Sequence, residues 1–176
     1  MKISVHAVAV DLPANALANL SHVLEKGHAH AAARKYDPAL LLAARLTPDM
    51  LPLTRQVQIA SDNCKYGVAR LAGVEAPKFE DQEQTFEELR ARIARTIDFV
   101  KGVPADALEG SEDRTIKLAL RDRTLEFKGL DYLVRWVIPN TFFHVTTAYA
   151  ILRQSGVEIG KSDFLTGSGP GFSQTT

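Results

Sequence analysis

The fold is decided by residues 53–71, which read LTRQVQIASDNCKYGVARL. The apolar side chains of this stretch recur every three or four positions, at Leu53, Val57, Ala60, Cys64, Val68 and Leu71. Because this spacing places them along one face of an α-helix, the stretch predicts a long amphipathic helix. We expect the helix to begin near the start signal Thr47-Pro48-Asp49 and to end at Gly73, which Pro77 soon follows.

Two further stretches in the first part of the chain have the same helical spacing. Residues 15–33 carry regularly spaced leucines and a valine, followed by alanines that favour helix, and they predict the first long helix. A third long helix begins either at Asp81 or at Thr85, where Glu88 completes a capping-box pattern. We expect this third helix to end at Gly102.

The second part of the chain adds a hairpin and a fourth helix. Residues 114–128 alternate apolar and polar side chains on both sides of a short polar turn, which predicts a β-hairpin. Residues 131–154 are strongly apolar and predict a long helix that Pro139 should kink. With a short helix at 39–46, these elements describe an all-α protein: a four-helix bundle with a small β-hairpin between helices 3 and 4.

Length and composition limit the classes of protein to which the chain can belong. The 176 residues carry 21 basic and 21 acidic side chains, and this zero net charge argues against a general nucleic-acid binder. No apolar run reaches the roughly 18–20 residues of a membrane span, and no apolar core of a secretory signal is visible. The single cysteine, Cys64, excludes an internal disulfide, so we expect a cytoplasmic protein. The length predicts one domain, placed at 1–165, with a flexible tail at 166–176.

Polar residues inside the apolar fourth helix mark the candidate site. Asn140 and His144 are four positions apart and share one helix face, and Thr147 borders that face. Buried polar groups need partners, and Asp62 on the second long helix is the expected partner of His144. A carboxylate that holds an imidazole occurs in catalysis and beside metals, and it is equally a common structural hydrogen bond.

Other candidate constellations do not form a site. Glu25 and His28 have the spacing of a carboxylate-bridged di-iron bundle, but no second such pair exists. His28 and His30 diverge by about 200° on a helix and are expected at its solvated end. Cys64 lies on the apolar stripe, where a lone cysteine behaves as a small hydrophobic side chain.

Three long motifs carry a resemblance to a known family. They lie at 44–62, 73–81 and 139–165, and the last of them contains Pro139-Asn140-x-x-Phe143-His144. They resemble a bacterial family described as a domain of unknown function, DUF1993, which is similar to the DinB-like superfamily. The resemblance implies an up-down-down-up four-helix bundle, a homodimer, and kinship with thiol-dependent transferases and isomerases. Trp136 and Phe142 add aromatic surface beyond what one helical stripe can bury. These two side chains also favour a dimer.

The resemblance further implies a metal position between the second and fourth helices. Superfamily members hold nickel or zinc with one histidine from helix 2 and a His-x3-His pair on helix 4. In this register Asn140 and His144 occupy the pair, and the helix 2 position falls at Gln58 or Asp62. A single imidazole beside an amide and a carboxylate is a weak set of ligands for either metal.

Two functions remain open from the sequence. In the first, the chain is an enzyme acting on a small molecule: His144 is the acid/base group or the strongest metal ligand, Asp62 orients it or completes the metal site, and Asn140 positions substrate or water. In the second, the chain is a non-catalytic dimeric bundle that binds a small molecule or a partner and keeps a vestigial metal site.

Overall fold

A computed structural model describes residues 3–167 and shows a four-helix bundle with a small hairpin, which confirms the predicted fold class. Its helices are α1 (Leu12–Arg34), α2 (Ala39–Ala43), α3 (Leu53–Ala72), α4 (Phe86–Gly102), α5 (Gly129–Tyr132), α6 (Ile138–Gln154) and α7 (Lys161–Thr166). The strands are β1 (Thr115–Ala119) and β2 (Thr124–Lys128), and π-helical turns at Ala7–Asp11 and Leu133–Val137 precede α1 and α6. Most of the predicted tail, residues 168–176, lies outside the described residues.

The long helices α1, α3, α4 and α6 form the bundle. Each packs against two neighbours, in the order α1, α4, α3, α6 around the bundle, so that α1 lies diagonally across from α3. The Glu25 carboxylate of α1 is 3.3 Å from the Arg90 guanidinium of α4, and His28 pairs with Glu87 at 2.8 Å. Rising numbers on α1 therefore meet falling numbers on α4, and these two helices are antiparallel.

A crossover segment, residues 73–85, leads from α3 to α4. It runs back along α3, because Asp81 pairs with Arg55 and Glu83 accepts a hydrogen bond of 2.8 Å from Gln58, both near the start of α3. The helix α4 therefore begins beside the start of α3, and the two helices are parallel.

The pair α3 and α6 forms the most extensive helix interface and runs antiparallel. Gln56 near the start of α3 meets His144 near the middle of α6, whereas Gly67 near the end of α3 lies against Val137 just before α6. With α1 antiparallel to α4 and α3 parallel to α4, these directions give the up-down-down-up arrangement. Aliphatic side chains from all four helices fill the space between them.

One predicted helix start is confirmed and another is wrong. The capping box at Thr85 and Glu88 is present, and Asp81 belongs to the crossover segment. The predicted start of the second long helix near Thr47 is wrong, because α3 begins at Leu53. Thr47 closes a local turn onto Met50 instead, and the extended backbone of Pro52 precedes the helix.

The fourth helix is interrupted just before its proline, where the sequence predicts a kink. Pro139 has no backbone N–H to donate to the carbonyl four residues earlier, and the π-helical turn Leu133–Val137 lies directly before it. The hairpin is present with Leu118 paired to Leu125, and Phe127 packs its ring on Trp136 at 5.9 Å. Trp136 is therefore half-buried within its own chain.

The last helix, α7, is an element that no pattern in the sequence predicts. Its Asp163 carboxylate lies 2.9 Å from Lys26 Nζ and 3.0 Å from His22 Nε2, both on α1. The lysine, with help from the histidine, lowers the pKa of Asp163 to about 2. Within residues 3–167, no helix combines the length and the apolar character that crossing a membrane requires.

Candidate functional site

The candidate site contains an imidazole held between α3 and α6. His144 is 9% exposed, and its Nδ1 lies 2.7 Å from Gln56 Oε1. Gln56 is itself buried, and its Nε2 donates a hydrogen bond of 2.9 Å to the Leu51 carbonyl just before α3. The backbone carbonyl can only accept, so this second bond fixes which end of the amide faces His144.

This orientation determines the protonation of the ring. Because Gln56 presents its carbonyl oxygen, His144 Nδ1 must carry the proton that it donates. In the neutral ring, Nε2 then keeps its lone pair. Nε2 makes no hydrogen bond within residues 3–167 and is not among the buried polar atoms sealed from solvent. Burial lowers the pKa of His144, which favours this neutral form.

The surface beside the imidazole is partly apolar. Phe143 is 54% exposed and packs edge-on against the His144 ring at 5.1 Å between centroids. Asn140 lies one turn earlier on the same face of α6 and is half-buried. Phe142 is also half-buried, so Phe143 is the more exposed aromatic side chain in this part of α6.

Asp62 is not the partner of His144, and the predicted hydrogen bond between them is corrected by the structure. Asp62 Oδ1 lies 2.9 Å from Arg92 Nη2 on α4 and 2.9 Å from Lys65 Nζ. Gln56 and Asp62 are six residues apart on α3, which separates them by about 9 Å along the axis and about 120° around it. His144 therefore contacts one side of α3, whereas Asp62 lies on another side of the same helix.

Asp62 instead belongs to an ion cluster built around a buried arginine. Arg92 is completely buried, and its guanidinium contacts Asp62 at 2.9 Å, Asp81 at 3.1 Å and Glu83 at 3.0 Å. Burial alone would raise the pKa values of Asp81 and Glu83. Hydrogen bonds from Arg55 and Arg92 lower the pKa of Asp81, and hydrogen bonds from Gln58 and Arg92 lower that of Glu83. The cluster thus fastens the crossover segment to α3 and α4.

A second buried cation completes this ion cluster. Lys65 is fully buried, and its Nζ lies 4.0 Å from the centre of the Phe79 ring and 4.4 Å from that of Tyr66. Its distance of 2.9 Å to Asp62 is that of an ion pair, although the bond is poorly aligned. The two rings give the ammonium group a favourable electrostatic environment on its remaining sides.

Comparison with known proteins identifies the family. Residues 5–165 match the domain of unknown function DUF1993. The chain belongs to the DUF1993 family. The solved structure of a DinB family member protein from Shewanella denitrificans is 39% identical, covers 91% of this chain and 90% of its own, and superposes with a TM-score of 0.83. No curated protein matches the chain.

The residues of this DUF1993 chain do not fit the nickel or zinc site implied by the DinB resemblance. No three His, Cys, Asp or Glu side chains within residues 3–167 lie close enough to hold a metal ion. The α3 residue that faces His144 is Gln56, not Gln58 or Asp62 as the register suggests. A single imidazole accompanied by amides is a poor donor set for either metal.

Gln56 was not predicted as a site residue, although the sequence contains a signal for it. Gln56 lies three positions after Leu53 and four before Ala60, so it falls on the predicted apolar face of the helix. A polar residue at such a position needs a buried partner. Arg92 was missed because its burial depends on carboxylates from a crossover segment without regular periodicity.

Proposed function

We propose that this DUF1993 protein is an acid/base enzyme acting on a small molecule, with His144 as the base. The observation that carries the proposal is the contact of Gln56 Oε1 with His144 Nδ1 at 2.7 Å. It leaves Nε2 of the neutral ring free to take a proton from a bound molecule. Because burial lowers the pKa of His144, the ring is unprotonated and ready to act as a base at neutral pH.

The remaining site residues have supporting roles in this proposal. Gln56 is a positioning residue, since it acts through the imidazole. Asn140 lies one turn before His144, and its amide can donate to or accept from the substrate or an attacking water. Asp62 remains in the ion cluster, because Arg92 and Lys65 already neutralise its charge. No metal is required for any of these roles.

The proposal is tested by a screen of small-molecule proton transfers and thiol additions, with four proteins compared. These are the wild type, His144→Ala, Asn140→Ala and, as a control, Thr146→Ala, which alters an exposed position on the same helix. We expect kcat to fall by a factor of about 10²–10⁴ in His144→Ala and to be unchanged in the control Thr146→Ala. In the wild type, the rate should rise with pH through a pKa below 6.5. Turnover that survives His144→Ala would refute the assignment.

A second function, a dimeric interaction module, is supported by the exposed aromatic residue at the site. Phe143 is 54% exposed and Leu51, next to the Gln56 anchor, is 44% exposed. Light scattering should then give a dimer for the wild type and a smaller mass for Phe143→Ser. Absence of turnover together with this change in mass would favour the module, with its homodimer, over the enzyme.

A further inference from the structure

A further polar residue, Asn63, lies on the same side of α3 as Gln56. The two residues are seven positions apart, which is almost two full turns of helix, so their side chains leave α3 in nearly the same direction. Gly67, one turn further along, faces the same way and lies against Val137 just before α6. Asn63 is therefore placed between two points at which α3 meets α6 or the turn before it. It borders the interface that holds His144.

The side-chain amide of Asn63 is not satisfied by the protein. Its Nδ2 is sealed from solvent and has no hydrogen-bond partner. Its Oδ1 also makes no hydrogen bond within residues 3–167, but it is not among the sealed polar atoms, so a bound molecule can reach it. An apolar side chain would fill the same space without an unpaired amine, so packing does not explain an asparagine here. The open oxygen is an acceptor, and its partner must be a hydroxyl or an N–H group.

The interface offers no free charge to an ionic ligand. Helix α6 has no Asp, Glu, Lys or Arg between Ile138 and Leu152. The four charged side chains of α3 all have partners within the protein, namely Arg55 with Asp81, Asp62 and Lys65 with each other, and Arg70 with the Tyr132 hydroxyl. A charged molecule would lose hydration here without gaining an opposite charge, whereas an uncharged molecule loses much less. Two accepting atoms, His144 Nε2 and Asn63 Oδ1, together with the lack of free charge favour a neutral molecule with several hydroxyl groups.

Taking His144 as the base of the proposed function, we propose that its substrate is an uncharged polyhydroxy compound about the size of a hexose, and that Asn63 binds it. One hydroxyl donates to His144 Nε2, which takes its proton, and another donates to Asn63 Oδ1. The size follows from the spacing, because Asn63 lies about 10 Å along α3 from Gln56, the residue that holds His144. The exposed ring of Phe143 beside the imidazole is a surface on which the C–H face of a sugar ring can pack.

Binding of neutral sugars tests this substrate class without any need for turnover. The neutral probes are the methyl glycosides of glucose, galactose and mannose. Two matched probes are methyl glucuronide, which carries a carboxylate, and 2-methoxytetrahydropyran, which keeps the ring and lacks the free hydroxyls. Chemical shifts in nuclear magnetic resonance spectra of the whole protein measure each Kd. We expect at least one neutral glycoside to bind with a Kd of about 1–10 mM, with shifts at Asn63, Asn140 and His144. The two matched probes should bind at least about tenfold more weakly.

Two variants of Asn63 separate binding from folding. Asn63→Leu keeps most of the side-chain volume and Asn63→Ala removes it, and both should weaken the neutral glycoside by a factor of about three to ten. Neither variant should move the titration of the His144 ring, because an uncharged group is replaced by another. Asn63→Leu should melt at or above the wild-type temperature, since it loses an unpaired amine. Thr146→Ala, at an exposed position of α6, is the control and should change neither binding nor melting.

The substrate class is refuted if no neutral glycoside binds saturably, if the shifts map elsewhere, or if the glucuronide binds as tightly as the neutral probes. The role of Asn63 is refuted if both variants bind like the wild type, or if Asn63→Leu melts several degrees lower, which would make the amide structural. Binding that depends on Asn63 in a protein without turnover would refute only the catalytic role of His144. Turnover that His144→Ala abolishes and both Asn63 variants leave unchanged would refute only the role of Asn63.

Discussion

Gln56 holds His144 across the interface of α3 and α6, with Gln56 Oε1 2.7 Å from His144 Nδ1, although the two residues are 88 positions apart in sequence. The contact ties the protonation of the ring to the position of α3. An amide partner adds no charge, so burial dominates the environment of the imidazole and lowers its pKa. A carboxylate at the same place would have the opposite effect.

The first prediction concerns the charge of this partner. Gln56→Glu should raise the pKa of His144 from below 6.5 to above it, because a carboxylate stabilises the imidazolium. In the wild type, the unfolded chain binds the proton more readily, so stability should fall as pH drops below about 6.5. In the variant, the extra stability should be present at low pH and be lost as pH rises through the new pKa. Titration of the His144 ring by nuclear magnetic resonance measures the shift, and Thr146→Glu, a carboxylate elsewhere on α6, should leave it unchanged.

The second prediction concerns the buried arginine. Arg92→Met should lower the free energy of unfolding by about 3 kcal/mol or more, because it leaves Asp62 and Glu83 without their shared partner. Arg95 is the matched control on α4, since its side chain is 58% exposed and its guanidinium makes only a loose ion pair with Glu83, at 4.0 Å. Arg95→Met should change stability by no more than about 0.5 kcal/mol. Equal losses in urea unfolding of the two variants would contradict the role assigned to burial.

The third prediction concerns the attachment of α7. Because the pKa of Asp163 is lowered to about 2, its contribution to stability is present above about pH 4 and is lost as pH falls towards 2. Asp163→Asn should speed amide hydrogen exchange in α7 at neutral pH, and this difference from the wild type should shrink in acid. Asp98→Asn, at an exposed position of α4, should change nothing in α7. A difference that is as large at pH 2 as at neutral pH would show that charge is not what holds the helix.

The fourth prediction concerns close helix packing. A Cβ at Gly67 would lie 2.5 Å from a methyl group of Val137, so Gly67→Ala should destabilise the protein by about 1–3 kcal/mol. Gly102 ends α4 with nothing within 4 Å of its added Cβ, and Gly102→Ala should stabilise by about 0.4–1 kcal/mol. Thermal unfolding of the two variants should therefore shift in opposite directions.

Local patterns in the sequence were enough to predict most of the fold. Apolar spacing located the four long helices, period-two alternation located the hairpin, and the capping box located the start of α4 at Thr85. Two features of the fold, the start of α3 and the presence of α7, were not predictable in this way. The start of α3 moves to Leu53 because the residues before it close a turn, and α7 forms where Asp163 reaches α1.

The candidate site was predictable only in part. The sequence places His144 in the apolar part of its helix, and the structure indeed buries it. Charge alone favours Asp62 as the partner of His144, because Asp62 is a carboxylate on the second long helix. Helical geometry favours Gln56, which lies on the apolar face of α3. Which acidic residues surround Arg92 depends on the path of the crossover segment, and no local pattern encodes that path.

The order of helices around the bundle has a consequence for how the chain folds. Two of the three links between successive long helices join diagonal partners, since α1 touches α3 only slightly and α4 and α6 are not neighbours. Only α3 and α4 are adjacent both in sequence and in space, and a crossover along the length of α3 joins them. Helix contacts therefore close large loops, and no helical hairpin can form early as a stable unit. We expect refolding to be slow for an all-helical protein of this size. We also expect it to proceed without an intermediate in which one half of the bundle is already folded.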